Sequence, residues 1–282
     1  MRKRIACITL DIEPDLRDPQ RRVRMLEDAA LLERYVAIIQ AHQVKVTGFL
    51  VTSLIEPYGR ELEQLSRRIP IEFAVHSHDH DTRRACSREQ VERAMAAHEA
   101  FWGSAPLGYR APNGLLNPAG VGYLMDCGFQ YDSSIVPSVR LDEHAYWNLR
   151  FPREPFRFAR GRQSLVELPC ACLRGVRLGL SLSYAKVLGL RFYRLLAAFF
   201  PLPSAVVLGS HPYDFYVSLI AQYLKGWKKH AHLSNAQQAS RIFEQIIDML
   251  RQQGYEFAYM SDLNHYVREM PDVPSIPLQE WP

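Results

Sequence analysis

Hydrophobic positions in this chain fall into short continuous runs separated by longer stretches of helical period. Ile5 to Leu10, Val44 to Val51, Ile69 to Val75 and Ala205 to Leu208 are nearly unbroken apolar runs, the pattern of strands buried on both faces. From Arg22 to Ala41 the apolar residues Met25, Ala29, Leu32, Tyr35, Val36 and Ile39 recur at helical spacing. Further helices are predicted over Glu61 to Arg68, from the capping pattern Ser87-Arg88-Glu89-Gln90 to about Phe101, over Pro118 to Cys127 before Gly128, and over Asn235 to Gln253 before Gly254. Leu107 to Tyr109, Leu165 to Pro169 and Phe257 to Met260 read as short strands, the last closing the series. The β-α-β-α-β alternation predicts an α/β fold with a parallel sheet or barrel. Residues 138 to 163 lack a period and read as an irregular excursion, and the Pro-spaced tail after Met270 reads as a surface extension.

One segment departs from the pattern. Between Leu180 and Phe200 a single helix is predicted, with Leu188, Phe192, Leu195, Leu196 and Phe199 on one face and Lys186, Arg191 and Arg194 on the other. Such a helix packs its apolar face on a barrel or lies in a membrane interface. A second basic and aromatic stretch, Tyr223 to His230, favours the membrane surface.

The chain has 282 residues, 48% of them apolar, enough for a well-filled core. A net charge of +4 from 34 basic and 30 acidic side chains gives no reason to expect nucleic-acid binding. No apolar run reaches the roughly 20 residues of a spanning helix. The basic start Met1-Arg2-Lys3-Arg4 leads straight into the first strand, with no room for a secretory leader before Asp11. Five cysteines, an odd number with no C-x-x-C pair, suit reduced thiols in a cytoplasmic protein.

Candidate chemistry collects where strands end, which is where parallel α/β proteins act. The third run delivers His76-Ser77-His78-Asp79-His80-Asp81, and two histidines four apart suggest a transition-metal site. The first run ends in Asp11-Ile12-Glu13, whose alternation turns two carboxylates to the same side. Arg110-Ala111-Pro112 follows a short strand, where Arg110 could grip Asp11 in a bidentate pair, and Gly209-Ser210-His211 follows another. Taken singly, each also fits a polar loop, a surface arginine or a structural histidine.

Together and in this order the motifs resemble the polysaccharide deacetylase family, also called the NodB-homology or carbohydrate esterase 4 family. The resemblance runs from Ile5 to about Leu263 and rests on His76-Ser77-x-x-His80, preceded by Glu72, with Arg110-x-Pro112 and His211 in support. Asp11-x-Glu13 looks like a variant of the family's first motif, with Glu where Asp is usual. The resemblance implies a distorted (β/α) barrel of the NodB-homology type, one domain over residues 1–265 with a basic amphipathic insert at about 176–202 and a C-terminal extension at 266–282. It implies that Glu13, His76 and His80 hold one divalent metal, Zn2+ or another transition ion, that Asp11 is the general base, that Arg110 orients it and that His211 is the general acid. The acidic partner of His211 would be Asp132, Glu167 or Asp214, and His78, Asp79 and Asp81 would either support the ligands or only shape the loop. Asn113 stands where an aromatic residue is common and offers no ring on which a sugar could stack.

The implied activity is metal-dependent removal of an acetyl or similar acyl group from an N-acylated amino sugar or glycan. The basic amphipathic stretches and the absence of a leader point to a polyprenyl-phosphate-linked envelope precursor, met by a cytoplasmic protein peripherally bound at the inner face of the membrane. Hydrolysis of a non-sugar amide or cyclic imide, and glycan binding without catalysis, are the alternatives.

Overall fold

The computed structural model describes residues 3–282 apart from 17, 143, 217–228 and 230–232. The second basic stretch, Tyr223 to His230, therefore lies outside the described residues except for Lys229, which is exposed. The apolar runs become strands: β1 (Ile5–Ile12), β2 (Val46–Leu50), β3 (Ile71–Val75), β4 (Gly108–Tyr109), β5 (Tyr131–Asp132), β6 (Val139–Arg140), β7 (Tyr146–Trp147), β8 (Phe156–Arg160), β9 (Gln163–Glu167), β10 (Ala205–Ser210), β11 (Glu256–Phe257) and β12 (Ser275–Pro277). The main sheet runs β10-β1-β2-β3-β4-β5-β9-β8-β12, with β11 also on β1. Every pair in it is parallel except the β8–β9 hairpin. No ladder joins β9 to β10 among the described residues; the Ala171 N–H donates to the Val207 carbonyl at 3.0 Å and spans that seam.

Helices cover the outside: α1 (Arg24–Glu27), α2 (Ala29–His42), α3 (Ile55–Arg68), α4 (Arg88–Trp102), α5 (Pro118–Asp126), α6 (Leu182–Leu188), α7 (Leu190–Phe199), α8 (Ala239–Gln252) and α9 (Met260–Glu269). Alternation along β1 fixes which side chains face which layer. Ala6, Ile8, Leu10 and Ile12 pack outward with α2 and α8, while Ile5 and Cys7 turn inward to Phe49, Ala74, Tyr131, Val166 and Val207. Met260, Leu263 and Val267 of α9 join that inner cluster. The inward row of β1 continues through Thr9 to Asp11, so polarity rises along one line of side chains toward the carboxyl ends of the strands.

Several expected elements take another form. The helix expected over Arg22 to Ala41 is two, because Asp28 leaves helical geometry and caps α2, accepting from the N–H groups of Ala30 and Leu31. The helix expected over Leu180 to Phe200 breaks at Gly189, whose φ of 82° is accessible to glycine at little cost. The strand expected to run from Phe257 to Met260 stops at Phe257, because the Asp262 carboxylate accepts from the Tyr259 N–H and starts α9. The aperiodic stretch 138 to 163 contains the antiparallel β6–β7 pair and all of β8, which forms a hairpin with β9. Helix α9 runs through position 265, and in the tail β12 pairs with β8 while Trp281 stacks on Phe158 at 5.1 Å.

Candidate active site

Asp11, Glu13, His76, His80, Arg110 and His211 converge where β1, β3, β4 and β10 end. The His76–His80 loop is held from both sides: the Thr52 and Ser53 N–H groups donate to the carbonyls of Ser77 and His78. Ser77 and His80 both adopt left-handed backbone, with φ of 61° and 59°. Non-glycine residues there are uncommon and concentrate at functional sites. The turn brings His80 Nε2 to 2.5 Å and His76 Nε2 to 3.2 Å from Glu13 Oε2, and one ligand atom from each of the three residues lies within 4.8 Å of the others.

This triad fits a divalent cation on its own chemistry. The His76 Nδ1–H donates to the Arg110 carbonyl at 2.8 Å, which fixes the tautomer and leaves the Nε2 lone pair facing a carboxylate oxygen. His80 Nε2, although only 2.5 Å from Glu13, is buried and makes no hydrogen bond of acceptable geometry. Two imidazole nitrogens and a carboxylate oxygen converging on one point are the donor set of a divalent cation, and in the protein alone the Glu13 charge favours a proton on His80 in its place. The other Glu13 oxygen accepts the Tyr213 O–H at 2.7 Å, leaving Oε2 as the one turned to the histidines.

Asp11 is buried and gripped from one side. Arg110 Nη1 reaches Asp11 Oδ1 at 2.6 Å and Thr9 Oγ1 at 2.8 Å, while its Nε and Nη2 bond the carbonyl and hydroxyl of Ser133 at 3.0 and 2.9 Å. The guanidinium lies 3.9 Å from the Phe49 ring centroid, a cation on an aromatic face at the floor of the site. The expected bidentate grip on Asp11 is thus a single contact, because the other donors of Arg110 are spent on Ser133. Asp11 Oδ2 remains turned toward His211 Nε2 at 3.8 Å, beyond hydrogen-bond range.

Behind His211 lies a second charged group. Asp214 Oδ2 faces His211 Nδ1 at 3.1 Å and also accepts the His211 backbone N–H at 2.9 Å. Lys186 Nζ approaches Asp214 Oδ1 at 3.5 Å and donates to its carbonyl at 2.9 Å, and Ser183 Oγ adds a bond at 2.8 Å. Burial opposes charge on His211, but the Asp214 hydrogen bond and the charges of Glu13, Asp214 and Asp11 outweigh it and push the imidazole up to about 9. Burial likewise works against the Asp214 carboxylate, yet His211 and Lys186 hold it well below the usual range.

Of the three acids expected to partner His211, Asp214 is the one in contact. Asp132 and Glu167 face each other across β5 and β9 and accept from Ser134 and Ile135 instead. Burial and the charge of Asp132 raise Glu167 well above the usual carboxylate range. His78 bonds Thr52, Asp79 bonds Gln90 and Asp81 bonds Arg84, so these three shape the loop and do not touch the ligands. Glu72 points into the inner layer, to Thr47 and Ser261.

Lys186 corrects the sequence-based expectation most sharply: it is 1% exposed and supports Asp214 instead of lining the outer face of a helix. Thr9, Ser133, Ser183 and Tyr213 also escaped the sequence reading. For Tyr213 a signal was available, since His211-Pro212-Tyr213-Asp214 puts two more polar groups within one turn of a strand-end histidine. Tyr213 also stacks on the His211 ring at 4.9 Å and 10°.

The sequence matches no curated protein. Residues 1–131 match the family described as Polysaccharide deacetylase. Among solved structures, a protein of Mycobacterium smegmatis assigned to the polysaccharide deacetylases is 20% identical over 97% of this chain and 94% of its own, with a TM-score of 0.60. One of Pseudomonas aeruginosa PAO1 with the same assignment is 15% identical over 96% and 93%, also at 0.60. A carbohydrate esterase 4 pseudoenzyme of Bacillus anthracis is 13% identical over 93% and 66%, at 0.54. These likenesses establish a shared fold, the mixed α/β architecture of the NodB type. The segment matched to the polysaccharide deacetylase family contains Asp11, Glu13, His76, His80 and Arg110, while His211 lies beyond it.

Proposed function

We propose that the protein is a metal-dependent N-deacetylase that removes an acetyl or similar acyl group from an N-acylated amino sugar. The observation that carries this is the pairing of a Glu-His-His donor triad with a carboxylate, Asp11, and an imidazolium, His211, within one strand-end site. Glu13, His76 and His80 would hold one divalent ion, Zn2+ or another transition metal. When bound, such an ion lowers the pKa of water and polarises an amide carbonyl.

The remaining work falls to the chain's own residues. Asp11 accepts the proton of the attacking water on Oδ2, while Arg110 holds Oδ1 and keeps the carboxylate in place. His211, charged at neutral pH, donates its Nε2 proton to the departing sugar nitrogen, so that an amine leaves and a carboxylate remains. Asp214 retains Nδ1–H and prevents the ring from turning. Tyr213 fixes Glu13 through Oε1 and braces the His211 face.

For the substrate, the reading is a glycan precursor carried on polyprenyl phosphate, with the protein at the inner face of the membrane; the basic, apolar surface of α7 supports it. A non-catalytic glycan-binding role has one observation behind it, the pseudoenzyme among the structural neighbours. Acetate release separates the two. The metal-loaded protein should liberate acetate from N-acetylated amino-sugar oligomers or lipid-linked N-acetyl sugars, and Asp11→Asn should abolish release while keeping the metal. Sugar binding that survives Asp11→Asn, with no acetate from wild type, would favour the binding role.

A further inference from the structure

Helix α7 is apolar on two sides. Leu190 and Tyr193 are buried against the body of the protein, with the Tyr193 hydroxyl donating to the Gly179 carbonyl at 2.6 Å. The opposite side should be polar in an ordinary surface helix. Here it carries Phe192, Leu195 and Phe199, which are 43%, 60% and 72% exposed and recur at i, i+3 and i+7. Leu188, just before the Gly189 break, adds to the same surface at 39%. Of the apolar stripe read from the sequence, Leu196 packs on the core and the other four residues face outward.

Charge identifies what this face meets. From Leu168 to Tyr213 the chain carries Arg174, Arg177, Lys186, Arg191 and Arg194 and no acidic residue. Lys186 is spent on Asp214; Arg191 and Arg194 are exposed beside the stripe, with no hydrogen-bond or ion-pair partner among the described residues. A second copy docked across a two-fold axis would set these arginines against their own equivalents. An anionic lipid surface accepts both features, phosphates meeting arginines while the phenyl and leucyl tips enter the acyl boundary. No described helix is long and apolar enough to cross a membrane.

We infer that the exposed face of α7, formed by Phe192, Leu195 and Phe199 with Arg191 and Arg194, docks the protein on an anionic bilayer. The helix is joined to the site by its neighbour: α6 begins at the Ser181–Gly209 bridge beside β10 and delivers Lys186 to Asp214. The inference deepens the proposed function and rests on it only for what the membrane presents to the site.

The test is flotation of the full purified chain with phosphatidylcholine vesicles, with and without phosphatidylglycerol. Wild type should float with the anionic vesicles and be released by salt. Phe192→Ser/Leu195→Ser/Phe199→Ser should stay soluble at an unchanged melting temperature, and each of Arg191→Ser and Arg194→Ser should weaken binding about fivefold. Wild type remaining soluble with both vesicles at low salt would overturn the inference. So would a triple variant that floats like wild type, or a wild-type dimer dissolved by the triple variant without vesicle binding. Flotation needs no turnover, so a wild type that floats but releases no acetate would count against the deacetylase reading alone.

Discussion

The two histidine–carboxylate clusters flanking Asp11 are alike in composition and opposite in electrostatics. On one side Glu13 faces His76 and His80; on the other Asp214 faces His211. Asp214 has the Lys186 side chain and the Ser183 hydroxyl within reach, and its charge helps to stabilise His211 as imidazolium. Glu13 has a tyrosine hydroxyl and two imidazoles, one of them committed through Nδ1–H to a backbone carbonyl. In the proposed reading that cluster would be completed by a divalent cation. On this reading a buried carboxylate would yield a proton donor where the chain supplies the countercharge, and a metal site where it does not.

The largest effect should come from the residue between the clusters. Asp11→Asn is expected to cut turnover about 10²–10⁴-fold with metal content unchanged, measured by acetate release beside elemental analysis. Removing the built-in cation comes next. Lys186→Met should leave Asp214 with a buried, under-compensated charge and lower stability by about 3 kcal/mol in urea unfolding, without loss of metal. If Lys186→Met instead lost the metal and kept its stability, the division between the clusters would be wrong. Tyr213→Phe, which frees Glu13 Oε1, should weaken metal affinity roughly tenfold in a chelator competition while leaving the fold intact.

The smallest effect is a pH slope. The folded pKa of His211 lies above the unfolded value, at about 9 against 6.5, so its stabilising contribution is complete below about 6.5 and is lost as pH rises through about 9. The melting temperature of the metal-free protein should decline across that window, and Asp214→Asn should flatten the decline. Turnover should fall over the same upper limb, because only imidazolium can donate to the leaving amine.

The convergence of Glu13, His76 and His80 was legible in the sequence because these residues come directly after continuous apolar runs, and buried parallel strands carry the next few residues of the chain to one end of the sheet. Alternation along Cys7, Thr9 and Asp11 was enough to turn Asp11 inward. The other cluster was less legible. Lys186 lies 28 residues from Asp214, and a helical wheel gives relative angles around an axis without saying which side meets the protein. The Gly189 break then separates Lys186 from Arg191 and Arg194, so residues that share one face of a continuous helix have different fates. Ser133 and Thr9 carry no signal of their own, since small hydroxyl residues become part of a site only through the groups that pack against them.

The central claim is that Glu13, His76 and His80 form a cation site while the His211 cluster needs none. Elemental analysis of purified wild type beside His76→Ala/His80→Ala and Lys186→Met tests it most directly. The account predicts about one divalent ion per chain in wild type and in Lys186→Met, and none in the double variant. A wild type that binds no metal even on reconstitution, or a double variant that retains it, would contradict the account.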